Sequence, residues 1–212
     1  MATPFEFVAH QLRTHLPDAH VEPLVDTDGT SRRDQLLRLY RSGADGEFGA
    51  DYSEFMQHFP GGYPFYYPLR LTQSGHRTLK VRVAAGADFI ERFTRPDAEV
   101  REHLAHYGYW RIEEPVDPDE DDFWVLILRL KDDVPQYLIL PTSKLKRLLS
   151  RAHDPEKFSL LLAKSGFCFA AQPLSTANRL AVLKNPFLLD TVEYSDLKMD
   201  SYLNNWSQLA AQ

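Results

Sequence analysis

Cysteine is nearly missing from this chain: Cys168 stands alone. That excludes an internal disulfide framework and fits a reducing compartment. Its setting, GFCFAA, is apolar, which suits a small core residue better than a nucleophile. Long hydrophobic runs are missing too, and nothing approaches the eighteen or so apolar residues that a membrane span needs. The opening stretch MATPFEFVAHQLRTHL carries Glu6, His10 and Arg13 and has no apolar stretch of the secretory kind. A cytoplasmic protein with no membrane contact is the expectation. Positive charge is not in excess either: 24 Lys and Arg face 30 Asp and Glu, a net charge of −6. Indiscriminate nucleic-acid binding, which works by neutralising phosphates, is therefore excluded, although a local basic face is not.

Two signatures of catalysis are absent as well. FPGGYP and QSGH match neither nucleotide-binding fingerprint, and no serine lies between glycines in a nucleophile elbow. There is no internal repeat and no low-complexity segment. At 212 residues the chain fits one compact domain. A globule of that size buries roughly 70% of its unfolded-state surface and needs no staples.

Helical and strand periodicities alternate along the chain. Thr3-Pro4-Phe5-Glu6 reads as a capping box with proline at the first helical position, and Phe5, Val8, Leu12 and Leu16 follow at helical spacing until Pro17. HVEPLVDTDG predicts a short strand and a turn. Helices are expected from Ser31 to Arg41 and from Gly49 to Phe59. YPFYYPLRLT has strand composition, but Pro64 and Pro68 demote it to an edge or irregular strand. Gln73-Ser74-Gly75-His76 turns the chain into HRTLKVRVAAG, which alternates Leu79, Val81 and Val83 against Thr78, Lys80 and Arg82.

DAEVREHLAHYG predicts a helix with a glycine stop, and YWRIEE a short strand. FWVLILRL is apolar almost throughout, as a strand buried on both faces should be. VPQYLILP pairs with it across Lys131-Asp132-Asp133. Thr142 caps a basic helix, Asp154-Pro155 opens another ending near Gly166, and the tail closes in a helix with Tyr202, Leu203, Trp206 and Leu209. The predicted fold is α+β, an α/β sandwich with a mixed central sheet flanked by helices. Residues 1–62 form an N-terminal helical segment packed on a core of residues 63–212.

Each chemical pattern has a plain alternative. Glu102, His103 and His106 have the wrong spacing for a zinc helix and lack a third ligand, so a polar helix surface is expected and no metal site is assigned. The loop Asp117 to Asp122 is rich in carboxylates but lacks the glycine and distal glutamate of an EF-hand. Lys144, Lys146, Arg147 and Arg151 form a basic stripe on a helix that also has an apolar face, the ordinary pattern of a surface helix.

The segment DDFWVLILRLKDDVPQYLILPTSKLKRLL resembles a stretch of the PD-(D/E)XK restriction-endonuclease-like superfamily. An acidic residue precedes a buried strand, and a short polar hairpin, a strand ending in proline and a helix follow. SYLNNWSQL is similar to the tail of several small members. The resemblance spans residues 63 to 206 and implies a restriction-endonuclease-like core. It places HRTLKVRVAAG on the strand that bears the (D/E)-x-K triplet and YPLRL on the strand of the metal-binding aspartate. That chemistry requires carboxylates holding Mg²⁺ and a lysine beside the nucleophile. Here the triplet reads Lys80-Val81-Arg82, and Tyr67, Pro68 and Arg70 supply no aspartate.

The resemblance therefore implies a catalytically inactive, nuclease-like accessory or interaction protein with a protein partner, in bacterial DNA processing or defence. One alternative is a Mg²⁺-dependent nuclease with relocated ligands, Asp34, Glu47, Asp51 or Glu54, and Lys80 as orienting base. Another is a nucleic-acid binder using Lys80, Arg82, Lys144, Lys146, Arg147 and Arg151. The plainest reading leaves Lys80 and Arg82 as the wet face of an antiparallel strand. The aromatic segment YPFYYP is the candidate protein-contact patch.

Overall fold

The structure is a computed structural model. It describes residues 4–17, 19–23, 67–73, 78–88, 90, 98–112, 116–129 and 134–210. The expected helices at Ser31–Arg41 and Gly49–Phe59, and residues 63–66 of the aromatic segment, lie outside them.

The chain folds as α+β around a mixed sheet. Helix α1 spans Pro4–His15, followed by strands β1 (Ala19–Pro23), β2 (Tyr67–Gln73) and β3 (Thr78–Asp88). Helix α2 (Ala98–His103) leads directly into β4 (Leu104–Arg111). β5 (Phe123–Arg129) and β6 (Gln136–Pro141) precede α3 (Thr142–Ser150). β7 (Lys157–Ala163), β8 (Cys168–Ala170) and α4 (Thr176–Lys184) follow, and the tail is a string of 3-10 turns.

β3 organises the sheet. Its first half pairs antiparallel with β2, while Val81 to Ala87 run parallel to Phe123 to Arg129 of β5. With β5 on one edge, the far end of β3 pairs β4 on the other, through Ala87↔Tyr109 and Asp88↔Gly108. β4 continues through β7 to β8, and β5 pairs β6. The alternation rule explains the double burial of β5. Trp124, Leu126 and Leu128 join one core with α3 and α4, and Phe123, Val125 and Ile127 join another with Val8 and Leu12 of α1.

The tail connects two strand edges. Lys198 bridges Phe169, and the Met199 N–H donates to the Cys168 carbonyl at 3.0 Å. Leu203 bridges Leu138, and the Asn204 N–H donates to the Tyr137 carbonyl at 2.6 Å. The Tyr137 N–H donates in turn to Asn204 Oδ1 at 2.9 Å. Asn204 adopts φ 53°, a left-handed conformation that asparagine tolerates. The strand connections therefore run from β3 through β5, β6, the tail, β8, β7 and β4 back to β3. Edge groups on β6 and β8 that could pair with another chain are partly satisfied within the molecule.

Several expectations are corrected. β2 is an inner strand, paired with both β1 and β3, and Pro68 lies within it opposite Arg82. The helix expected through Gly108 stops at His103. Gly108 is a strand residue, and a Cβ there would lie 2.7 Å from Trp110, just as one on Gly86 would lie 2.4 Å from the same indole. The two glycines mark the space that Trp110 fills, with its Nε1–H donating to the Ile127 carbonyl at 3.2 Å. Asp154-Pro155 opens a turn into β7 and not a helix. KFSLLLA is a short apolar run whose period fits either element, and pairing with β4 decides it. Pro141, not Thr142, occupies the cap position of α3, and Thr142 is its first residue. The tail has 3-10 turns at Asp200–Tyr202 and Trp206–Leu209 in place of an α-helix, because Asn204 leaves the helical region between them.

Candidate functional site

The strand that the resemblance singles out carries two cations with different fates. Lys80 is exposed at the start of β3, and its backbone exchanges two hydrogen bonds with Asp122. The Lys80 N–H donates to Asp122 Oδ2 at 2.8 Å, and the Asp122 N–H donates to the Lys80 carbonyl at 2.8 Å. Arg82 is buried, which corrects the wet-face expectation. β2 and β5 flank its strand, and the turn at 117–122 closes over it. Its Nε lies 2.7 Å from Asp121 Oδ2, its Nη2 lies 3.9 Å from Glu120, and its guanidinium sits 5.7 Å from the centroid of the Trp124 ring. Burial pushes the Asp121 carboxyl above its ordinary range, and Arg82 only partly pulls it back.

The acidic loop is thus a built turn. The N–H groups of Glu120 and Asp121 donate to the Asp117 carbonyl at 3.1 and 3.0 Å, and the Thr142 N–H donates to the Asp122 carbonyl at 3.0 Å. The carboxylates of Asp117, Glu120, Asp121 and Asp122 face cations or amides of this chain.

The stripe on α3 divides in the same manner. Lys144, Arg147 and Arg151 recur at helical spacing and converge on one acid, Asp196, in the 3-10 turn Ser195–Leu197. Lys144 Nζ donates to Asp196 Oδ1 at 2.6 Å and to the Asp196 main-chain carbonyl at 2.5 Å. It also lies 5.6 Å from the centroid of the Tyr202 ring. Arg147 grips the carboxylate with two parallel bonds, Nη2 to Oδ1 at 2.6 Å and Nε to Oδ2 at 3.0 Å. Arg151 Nη1 reaches Oδ2 at 3.4 Å. The Arg147 bonds, followed by Lys144, outweigh burial and hold the Asp196 carboxyl down to about 2. Lys146 points elsewhere, 3.9 Å from Asp117, with both side chains substantially exposed.

A third constellation joins His106, noted in the sequence beside Glu102 and His103, to an acid that no pattern pointed to. Asp88, at the end of β3, receives the Ile90 and Tyr107 N–H groups on Oδ1, each at 3.0 Å. Its Oδ2 lies 2.7 Å from His106 Nδ1 on β4. Strand pairing brings these residues together across eighteen positions, a juxtaposition that no local spacing announces. The arrangement can orient an imidazole, but it is a pair only. Among the described residues no group of three metal-ligating side chains gathers. His103, on α2, does not join it there. Cys168 is buried in β8, where desolvation pushes its thiol up to about 12, so it is held as a thiol and not a nucleophile.

The relocated-ligand candidates Asp34, Glu47, Asp51 and Glu54 lie outside the described residues. Of the cations named from the sequence, the structure brings Lys144, Arg147 and Arg151 together and sets Lys80, Arg82 and Lys146 along the acidic turn. Comparison of the chain with protein-family models, with curated proteins and with solved structures found no match.

Proposed function

We propose that the chain is a non-catalytic interaction protein with a nuclease-like core, working through a protein partner in bacterial DNA processing or defence. The observation that carries this reading is the fate of the triplet position. Arg82, where the resemblance would put the catalytic lysine, is buried against Asp121 over Trp124. Lys80 occupies the acid position, and an ammonium repels the Mg²⁺ that a carboxylate would hold. The reading draws support from the hairpin of β5 and β6 followed by α3, the stretch on which the resemblance is based. Phe187, in the 3-10 turn Pro186–Asp190, and Val192, just beyond it, are exposed at 79% and 98% and offer apolar contact area.

The test is incubation of the purified chain with single- and double-stranded DNA and RNA, with Mg²⁺, with Mn²⁺ and with chelator. No cleavage is expected under any condition. Metal-dependent cleavage that disappears in Asp34→Asn, Glu47→Gln or Asp51→Asn would overturn the reading in favour of a nuclease with relocated ligands.

A further inference from the structure

Three cations converge on one carboxylate, and among the described residues Arg147 and Arg151 meet no second acid. Lys144 is closed off by the tail, with 9% of its side chain exposed, whereas Arg147 and Arg151 keep 58% and 40% of theirs exposed. Arg147 commits Nε and Nη2 to Asp196, and its fork carries further N–H donors. The segment that fills this face is a run of isolated 3-10 turns, Ser195–Leu197 and Asp200–Tyr202, tied to β8 by the Lys198–Phe169 bridge and seated on the buried Leu197 and Met199. It carries Glu193, Asp196 and Asp200, acids at peptide spacings of three and four.

We infer that the basic face of α3 is a docking site for an acidic peptide, held closed in cis by residues 193–200. The inference rests on the interaction-protein reading and names the partner's chemistry. The resident contacts favour a peptide over a nucleic acid. Lys144 Nζ bridges the carboxylate and the main-chain carbonyl of the same aspartate, a pair of acceptors that a phosphodiester lacks. A partner that presents an acid followed by further acids would replace Asp196 on the Arg147 fork and engage Arg151.

The experiment compares the full-length wild type with full-length Asp196→Asn. The probe is a fluorescent peptide copying residues 190–204, with both ends blocked, followed by anisotropy. Asp196→Asn weakens the competitor in cis, so it is expected to bind the peptide at least about tenfold more tightly than wild type. Binding should weaken with salt and vanish when Arg147→Glu is added or when the peptide's own aspartate at 196 is replaced by asparagine. A folded Asp196→Asn that binds no peptide overturns the inference, as does binding that is indifferent to Arg147→Glu. Equal or tighter binding of a DNA duplex overturns it in favour of a nucleic-acid face.

Should Asp196→Asn not fold, excess peptide added to wild type must speed amide hydrogen exchange at residues 196–204; unchanged exchange also overturns it. A wild type that cleaves nucleic acid removes the underlying reading. One that neither cleaves nor shows peptide competition removes this inference alone.

Discussion

Arg82 and Lys144 are both buried cations set against a carboxylate, and the two carboxylates respond in opposite directions. Asp121 is buried with a single close cation beside it, so desolvation prevails and its carboxyl is pushed up. Asp196 lies under three cations and its carboxyl is pulled down to about 2. The difference lies in stoichiometry and solvent access. The Arg82–Asp121 pair balances one charge against another inside the molecule, next to an aromatic ring. The α3 cluster is unbalanced, partly wet and joins two segments distant in sequence. A buried pair of the first kind is weak evidence for stabilisation and is replaceable by apolar groups; a cluster of the second kind attracts anions.

The largest effect that separates the two regions is expected at Arg82. Arg82→Ala leaves Asp121 buried without its partner and should destabilise the fold by about 3–5 kcal/mol in urea unfolding. The double change Arg82→Met with Asp121→Leu should return stability to within about 1 kcal/mol of wild type. A double variant as unstable as the single one would show that the pair is an organising element and not a neutral plug.

Asp196→Ala comes next, at about 2–3 kcal/mol, because Lys144 is then buried without its acid. Its effect must depend on pH. The folded Asp196 carboxyl lies near 2 and the ordinary value is 3.8, so its stabilisation is complete above the ordinary value and disappears as pH falls through that window. Asp121 acts with the opposite sign. Its folded value is raised, so its contribution declines as pH rises past 3.8. Unfolding curves of wild type and Asp196→Asn should therefore converge near pH 2; a constant gap down to that pH would contradict the assigned ion pairs. The smallest effect belongs to Lys146→Ala, under about 0.5 kcal/mol, because its contact with Asp117 is long and exposed.

Legibility in the sequence followed the strength of local signals. α1 and the pair β5–β6 are written in unambiguous periods: a capped amphipathic run, and two apolar strands that bury both faces. β7 and β4 are not, because KFSLLLA and LAHYGYWR become strands through each other, a choice made by pairing and not by composition. Arg82 looked wet because alternation assigns faces without saying what covers them. The acids that close over it come from the turn at 117–122, forty residues later. The basic stripe on α3 was visible residue by residue, but its acid, Asp196, lies about fifty residues further along the chain, where no local pattern marks it as their partner. His106 stood out beside Glu102 and His103, but its partner Asp88 belongs to no recognisable spacing and reaches it through strand pairing.

Arg82, Lys144, Lys146, Arg147 and Arg151 are all directed at carboxylates of this chain. The direct test is a fluorescence titration of wild type with a DNA duplex at about 50 and 200 mM salt. The account predicts no binding tighter than about 10 μM at either salt concentration. Submicromolar binding that falls at least about a hundredfold between the two, and that weakens in Lys80→Glu and Arg151→Glu, would contradict it and restore an open cationic groove.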